Sequence, residues 1–500
     1  MAKGSDLPNE VLQEVINYLH PSTIVNFAVS CHLFHSLSTR NLARHRNRIR
    51  SFRILDTERG FRDIVLGPQR RTRIIGRGRM TTLIRKTLEP SLEAWYVRDL
   101  VVRFHLEGFD IIRGPQASGR GSQAAEALRQ ENIRLLGNKL NSTLEAMEPY
   151  PNTHVMRRAL TQESVHLLSS LLLFNLPNLQ SLHWDDQGPV DNAPLLDTMR
   201  SVAMNPNVDA LSNLRVLILD SSRPRQLGEA IPFMFIQSCL RLPSLEIIKA
   251  RSISWTDRLD ERVPEGTSNV SWIELTHNQI IADGPNEDIE QLIAAPRNLR
   301  HFAFSTAQGD GTVEVSEFLT EDLVSMLIAH AGDTLETLAV RAGFIEAKPL
   351  LNLTAFNSLR YLETDFCLLL PSPPMDPRIA SSMLPRTLTH LRLYDDPFVP
   401  FEQGVAALLQ LLSYRRAACP SLAQLDLGLD DHPGLQGDDT VPAYMREHAG
   451  RVEQSCQRKS IGYRAKYRTD TAVDPEWDRI GAGKWYREQN RNFDNDSFFT

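Results

Sequence analysis

Residues 270–280 read VSWIELTHNQI. Val270, Ile273 and Leu275 stand at offsets of zero, three and five, separated by polar or aromatic residues. Successive side chains of a strand point to opposite faces, so Ile273 and Leu275 share one face while Trp272, Glu274 and Thr276 share the other. The arrangement recurs as LQSLHW from Leu179, LRVLIL from Leu214, LEIIKA from Leu245 and LRHFAF from Leu299. It continues as LETLAV from Leu335, LRYLET from Leu359, LTHLRL from Leu388 and LAQLDL from Leu422. At the two inward offsets of these nine segments, 17 of 18 residues are apolar and only Thr364 is not. A slip of one residue would turn the whole apolar set outward, so burial fixes the register of every segment.

Between the strands lie helical stretches: Ser122–Met147, Glu163–Phe174, Glu229–Arg241, Ser316–His330 and Gln403–Ala418. Strands that alternate with helices make an α/β fold with parallel pairing. A doubly wound sheet would need continuous apolar runs, and these strands alternate. The segment VSWIELTHNQI matches the pattern L-x-x-L-x-L-x-x-N-x-L throughout, with Asn278 in the Asn place; LETLAVRAGFI keeps the spacing with Gly343 there. The series resembles leucine-rich repeats, in units 24 to 36 residues apart where the family's are about 20–29. The resemblance implies a curved solenoid over residues 95–435, parallel strands concave and helices convex, with Val97, Leu100 and Val102 as a degenerate opening unit. Its outward strand positions are then the binding face. Trp272, Glu274, Arg341, Tyr361, Glu363, Arg392 and Tyr394 are the expected target contacts, because aromatics, Arg and acids predominate among contact residues. His183, His301 and His390 share that face but stand too many strands apart to hold one metal.

The N-terminal segment 7–37 reads LPNEVLQEVINYLHPSTIVNFAVSCHLFHSL. Leu12, Val15, Ile16 and Leu19 recur at helical spacing, with Pro8 in the first turn, where its missing N–H is harmless. Pro21 and Ser22 or Thr23 open a second helix, with Ile24, Phe27 and Ala28 on one side, and a third turn carries Phe34 and Leu37. Three helices of eight to ten residues cannot enclose a core of their own. The opening Leu7-Pro8-x-Glu10 and the apolar series after it resemble an F-box, expected over residues 6–48. The sequence departs from that pattern at Thr23, Ser30 and Leu33. The resemblance implies docking on a Skp1-type adaptor through Leu7, Pro8, Glu10, Val11, Leu12, Val15, Ile16, Leu19, Pro21, Ile24, Phe27 and Phe34. It places Cys31 in the apolar series, and the combination with irregular repeats is most similar to fungal F-box proteins.

Formal net charge is −6, but residues 40–86 carry 15 Arg or Lys against Asp56, Glu58 and Asp63. A segment this basic, with residues 49–94 as a transition to the repeats, pairs with the acidic remainder or with an anionic partner. Residues 436–500 contain no leucine. They are expected as a charged, partly disordered tail or cap, with 441–458 as a last helix.

Five scattered cysteines without a CxxC pair give neither a disulfide framework nor a zinc site. They suit a reducing compartment, the cytoplasm or nucleus. No secretory apolar run opens the chain and no stretch is long enough to span a membrane. Phosphate-binding, nucleophile-elbow and zinc-hydrolase motifs are lacking, so no enzyme activity and no cofactor are expected. Together the two resemblances imply the substrate-recognition adaptor of a Skp1–cullin–F-box ubiquitin ligase. Its partners are a Skp1-type protein, through it a cullin, and a protein target, with neither nucleic acid nor membrane among them. The alternative is a non-ligase F-box scaffold whose segment 40–86 binds nucleic acid or another anionic partner.

Overall fold

The structure, a computed structural model, describes residues 7–19, 21–56, 60–61, 93–104, 134, 172–173, 175–186, 199–200, 202–204, 210–221, 231–251, 253–254, 262–278, 286–306, 320–341, 353–370, 383–395, 399–429 and 443–467. The expected helix at 122–147 and the residues 62–92 and 468–500 fall outside these, save Arg134. Contacts divide the chain into two compact units, one of residues 1–223 with 242–244 and one of 224–241 with 245–500.

The first unit opens with α1 (Asn9–Tyr18), α2 (Pro21–Val29) and α3 (His32–Phe52). Pro8 takes the cap position of α1, and its carbonyl accepts from the Leu12 N–H at 3.0 Å. Cys31 is exposed rather than buried in an apolar series. Its sulfur caps α3, accepting from the Phe34 N–H at 3.5 Å, which gives one of the helix's orphan donors a partner. α3 runs 21 residues instead of the expected eight to ten. The reason is local: no Gly or Pro interrupts residues 32–52, and Ser38, Asn41 and His45 line one buried face at helical spacing.

β1 (Ile54–Asp56), β2 (Gly60–Phe61), α4 (Glu93–Tyr96), β3 (Asp99–Phe104), β4 (Ser181–Asp186) and β5 (Val216–Ser221) complete this unit. β1, β3, β4 and β5 pair in parallel in that order, with β2 antiparallel on β1. The Arg53 guanidinium meets the Asp99 carboxylate at 3.1 Å, tying the end of α3 to β3. Residues 49–56, assigned by sequence to a linker, are therefore helix and strand.

The second unit comprises β6 (Ile231–Pro232), α5 (Phe233–Cys239), β7 (Ile247–Arg251), β8 (Ile253–Ser254), β9 (Trp272–Asn278), α6 (Asn286–Ala294), β10 (His301–Thr306), α7 (Thr320–Ala331) and β11 (Thr337–Arg341). It continues with β12 (Tyr361–Asp365), α8 (Phe366–Leu369), β13 (His390–Tyr394), α9 (Phe401–Ser413), α10 (Arg415–Ala418), β14 (Gln424–Leu429), α11 (Ala443–Arg458) and β15 (Gly462–Tyr467). β7 and β9 to β15 form a parallel ladder in sequence order. β6 and β8 form a separate parallel pair. The inward residues read from the sequence are buried, from Ile248 and Ile273 through Phe302, Leu338, Leu362 and Leu391 to Leu425. Leu292, Leu327, Leu408 and Val452 are among the buried apolar residues of the helices that follow.

The ladder extends beyond Leu435. α11 ends in a left-handed turn at Ser460 (φ 54°), where the Ser460 N–H donates to the Gln457 carbonyl and the Ile461 N–H to the Cys456 carbonyl. That pair of bonds closes a Schellman motif and directs the chain into β15, a strand the apolar pattern did not reveal.

Candidate docking surfaces

On the first unit, Leu7 stands just ahead of the Pro8 cap, and Val11 and Val15, four residues apart, share one side of α1. The three expose 45, 42 and 42% of their area, whereas Leu12 and Ile16 on the other side retain 3 and 1%. Ile24 and Ala28 of α2 are buried too. The Asn41 amide donates to Asn17 Oδ1 at 3.0 Å, fixing α1 on α3. His45 Nδ1 meets the Tyr96 hydroxyl at 3.1 Å, fixing α3 on α4.

The twelve expected adaptor contacts therefore divide. Leu7, Pro8, Glu10, Val11 and Val15 are exposed; Leu19, Phe27 and Phe34 are half-buried. Leu12, Ile16 and Ile24 are taken up by the module's own core, which corrects the expectation that they face a partner. The side chain of Pro21 lies outside the described residues. Phe27 and Phe34 stack on each other, centroids 4.3 Å apart. The expected set omitted Val29 and Leu33, which are exposed apolar residues at the α2–α3 junction. The sequence offered one signal for the second: Leu33 occupies a place where the resembled family favours a basic residue.

On the second unit, the outward residues of β7 to β15 form rows across the ladder. One row runs Trp272, His301, Thr337, Tyr361, His390, Gln424. The next runs Lys249, Glu274, Ala303, Ala339, Glu363, Arg392, Asp426, Arg464. Opposite charges are neighbours in this second row, an arrangement that stabilises adjacent strands. Lys249 bonds Glu274; Arg392 stands 3.8 Å from Glu363; Arg464 donates twice to Asp426, at 3.0 and 2.7 Å.

Aromatic residues close the rows. The Tyr361 and Tyr394 hydroxyls donate to the two oxygens of Glu363 at 2.9 and 3.1 Å. The Arg341 guanidinium lies 3.8 Å over the Tyr394 ring and bonds Asp365 at 3.0 Å. Trp272 stacks on His301 with centroids 4.0 Å apart. The seven expected target contacts do meet on one face, but they do not all stand out into solvent. Trp272, Tyr361, Glu363, Arg392 and Tyr394 are buried, and only Glu274 and Arg341 of the seven are half-exposed. The physical reason is spacing: strands about 4.8 Å apart bring large side chains into contact, and here those neighbours are chemically complementary.

Burial opposes ionisation of Glu274, yet the His301 imidazole, 3.4 Å from its Oε1, and the Lys249 ammonium outweigh it and hold the carboxyl down to about 2. His301, wholly buried, is pushed below the ordinary imidazole range by that burial, against the pull of Glu274. Asp426 is likewise burdened by burial, but His390 and Arg464 keep it well below the usual carboxylate range. Among the described residues no group of three His, Cys, Asp or Glu is arranged to hold a metal, and no helix is long and apolar enough to cross a membrane.

Residues 5–44 match the F-box domain family. The match covers α1, α2 and the first part of α3, the elements that carry the exposed apolar stripe. Comparison with curated proteins gave no match.

Proposed function

We propose that this chain is a substrate-recognition adaptor of a Skp1–cullin–F-box ubiquitin ligase, working in the cytoplasm or nucleus. The observation that carries the reading is where apolar surface is left uncovered. Of the six exposed large apolar side chains among the described residues, five (Leu7, Val11, Val15, Val29 and Leu33) lie within the F-box match. F-box domains bind Skp1-type proteins, and covering each such side chain is worth about 1 kcal/mol. The parallel strand ladder is read as a leucine-rich-repeat array that holds the target. Contact with that target falls to the half-exposed Arg341 and Glu274, while the buried Tyr361, Glu363, Arg392 and Tyr394 set their geometry. The chain supplies no catalytic group in this scheme; it raises the effective concentration of target lysines near the ubiquitin-loaded enzyme.

Co-purification with a Skp1-type protein tests the adaptor half. Leu7→Ala with Pro8→Ala should abolish the association and leave the circular dichroism of the chain unchanged; undiminished co-purification defeats the assignment. Arg341→Glu tests the other half. Target abundance in cells should rise while adaptor binding persists, and unchanged abundance argues against the ladder face.

A second reading, a scaffold for an anionic partner, is favoured by Arg40, Arg44, Arg46 and Arg50, all exposed on α3. Salt dependence separates the two. Association with a polyanion falls by orders of magnitude between about 50 and 200 mM salt, whereas apolar docking does not.

A further inference from the structure

Within the first unit α1, α2, α3 and α4 surround a cavity of about 60 Å³, room for on the order of four waters. Ile16, Leu19 and Ile24 form its apolar floor. Its walls are polar: Asn17 from α1, Asn41, Arg44, His45 and Arg48 from α3, and Tyr96 from α4. Arg44 and Arg48 stand four residues apart, hence one above the other on the same helix face. The Tyr96 hydroxyl lies 3.1 Å from His45 Nδ1, and the Arg48 charge acts on it.

This wall is rich in donors, and its described residues include no counter-charge. Among the described residues no carboxylate lines the cavity, and neither Arg44 nor Arg48 forms an ion pair with any of them. Two guanidiniums beside one half-closed space repel each other, and an anion between them relieves that repulsion through charge-assisted hydrogen bonds. His45 senses the same field. Its pKa is lowered by burial first and then by the guanidiniums of Arg98 and Arg48.

We infer that the cavity between α1, α3 and α4 binds a small free oxyanion of the phosphate class, held by Arg44, Arg48 and the Tyr96 hydroxyl. Its size admits one phosphoryl group, and its position behind the buried side of α1 separates it from the stripe of Leu7, Val11 and Val15. The inference does not rest on the adaptor reading.

Thermal unfolding of the full chain, titrated with inorganic phosphate against chloride at matched ionic strength, tests it. A ligand that binds only the folded state raises Tm in a saturable way. The wild-type chain should show that rise, Arg44→Gln with Arg48→Gln should lose it, and Arg40→Gln with Arg46→Gln, on the same helix but outside the cavity, should keep it. No saturable rise, or the same rise in both double variants, overturns the inference. If the first variant does not fold, the wild type decides by phosphorus NMR. The phosphate resonance should broaden with protein and sharpen again on adding sulfate but not chloride, and a line that never broadens overturns the inference equally.

Discussion

Thr364 is the one inward strand residue that breaks the apolar rule, and the structure shows the consequence. Its Oγ1 is buried and among the described residues has no hydrogen-bond partner. A buried hydroxyl without a partner costs roughly 1–3 kcal/mol, and an apolar side chain of the same shape removes that cost. Thr364→Val should therefore stabilise the second unit by about 1 kcal/mol, read as a raised urea midpoint. Glu274 gives a pH prediction of defined sign. Its folded pKa, about 2, lies below its ordinary 4.5, so its contribution is full above 4.5 and is lost as pH falls toward 2. Urea midpoints taken from neutral pH downward should fall more steeply through that window for the wild type than for Glu274→Gln. Parallel curves would show that the Lys249–Glu274–His301 group does not contribute. Both residues stood in the sequence as members of a pattern. Neither the missing partner of one nor the charged neighbours of the other could be read there, because both come from strands 24 or more residues away.

At the scale of elements, legibility followed apolar spacing. α1 was visible through Leu12, Val15, Ile16 and Leu19, and β9 through Ile273 and Leu275. Which side of α1 would be left uncovered was not visible, since Val11 and Leu12 are chemically alike and only packing on α3 separates them. β15 escaped detection for a different reason. Its inward residues are Tyr463 and Ala465, paired with Leu425 and Leu427, and two places before the strand, where the other segments carry Leu or Val, stands Ser460. Ser460 is there because the chain must turn left-handed to leave α11, and an L-residue at positive φ is strained by about 1 kcal/mol. Ser460→Gly should relieve that strain and slow amide hydrogen exchange in α11 and β15. Unchanged or faster exchange would mean that the turn does not limit the stability of this end of the ladder.

At the scale of the molecule, the two units divide the work of the proposed account. The first presents uncovered apolar surface on an F-box match; the second presents a face already paired with itself. The α/β class and the parallel order of strands were legible because one apolar register repeats nine times. Burial of the opposite face was not, because complementarity between Glu363, Arg392, Asp426 and Arg464 emerges only when their strands are adjacent. The adaptor claim bears most heavily on Val11 and Val15. They are exposed, so replacing them should change folding stability by no more than about 0.5 kcal/mol each, while a charge in an apolar interface is strongly unfavourable. The decisive measurement is a calorimetric titration of the full chain with a Skp1-type adaptor, wild type against Val11→Asp with Val15→Asp. The account predicts binding by the wild type and at least a tenfold weaker affinity, about 1.4 kcal/mol, in the double variant with its circular dichroism unchanged. Equal affinity in the two, or no binding by the wild type, would contradict it.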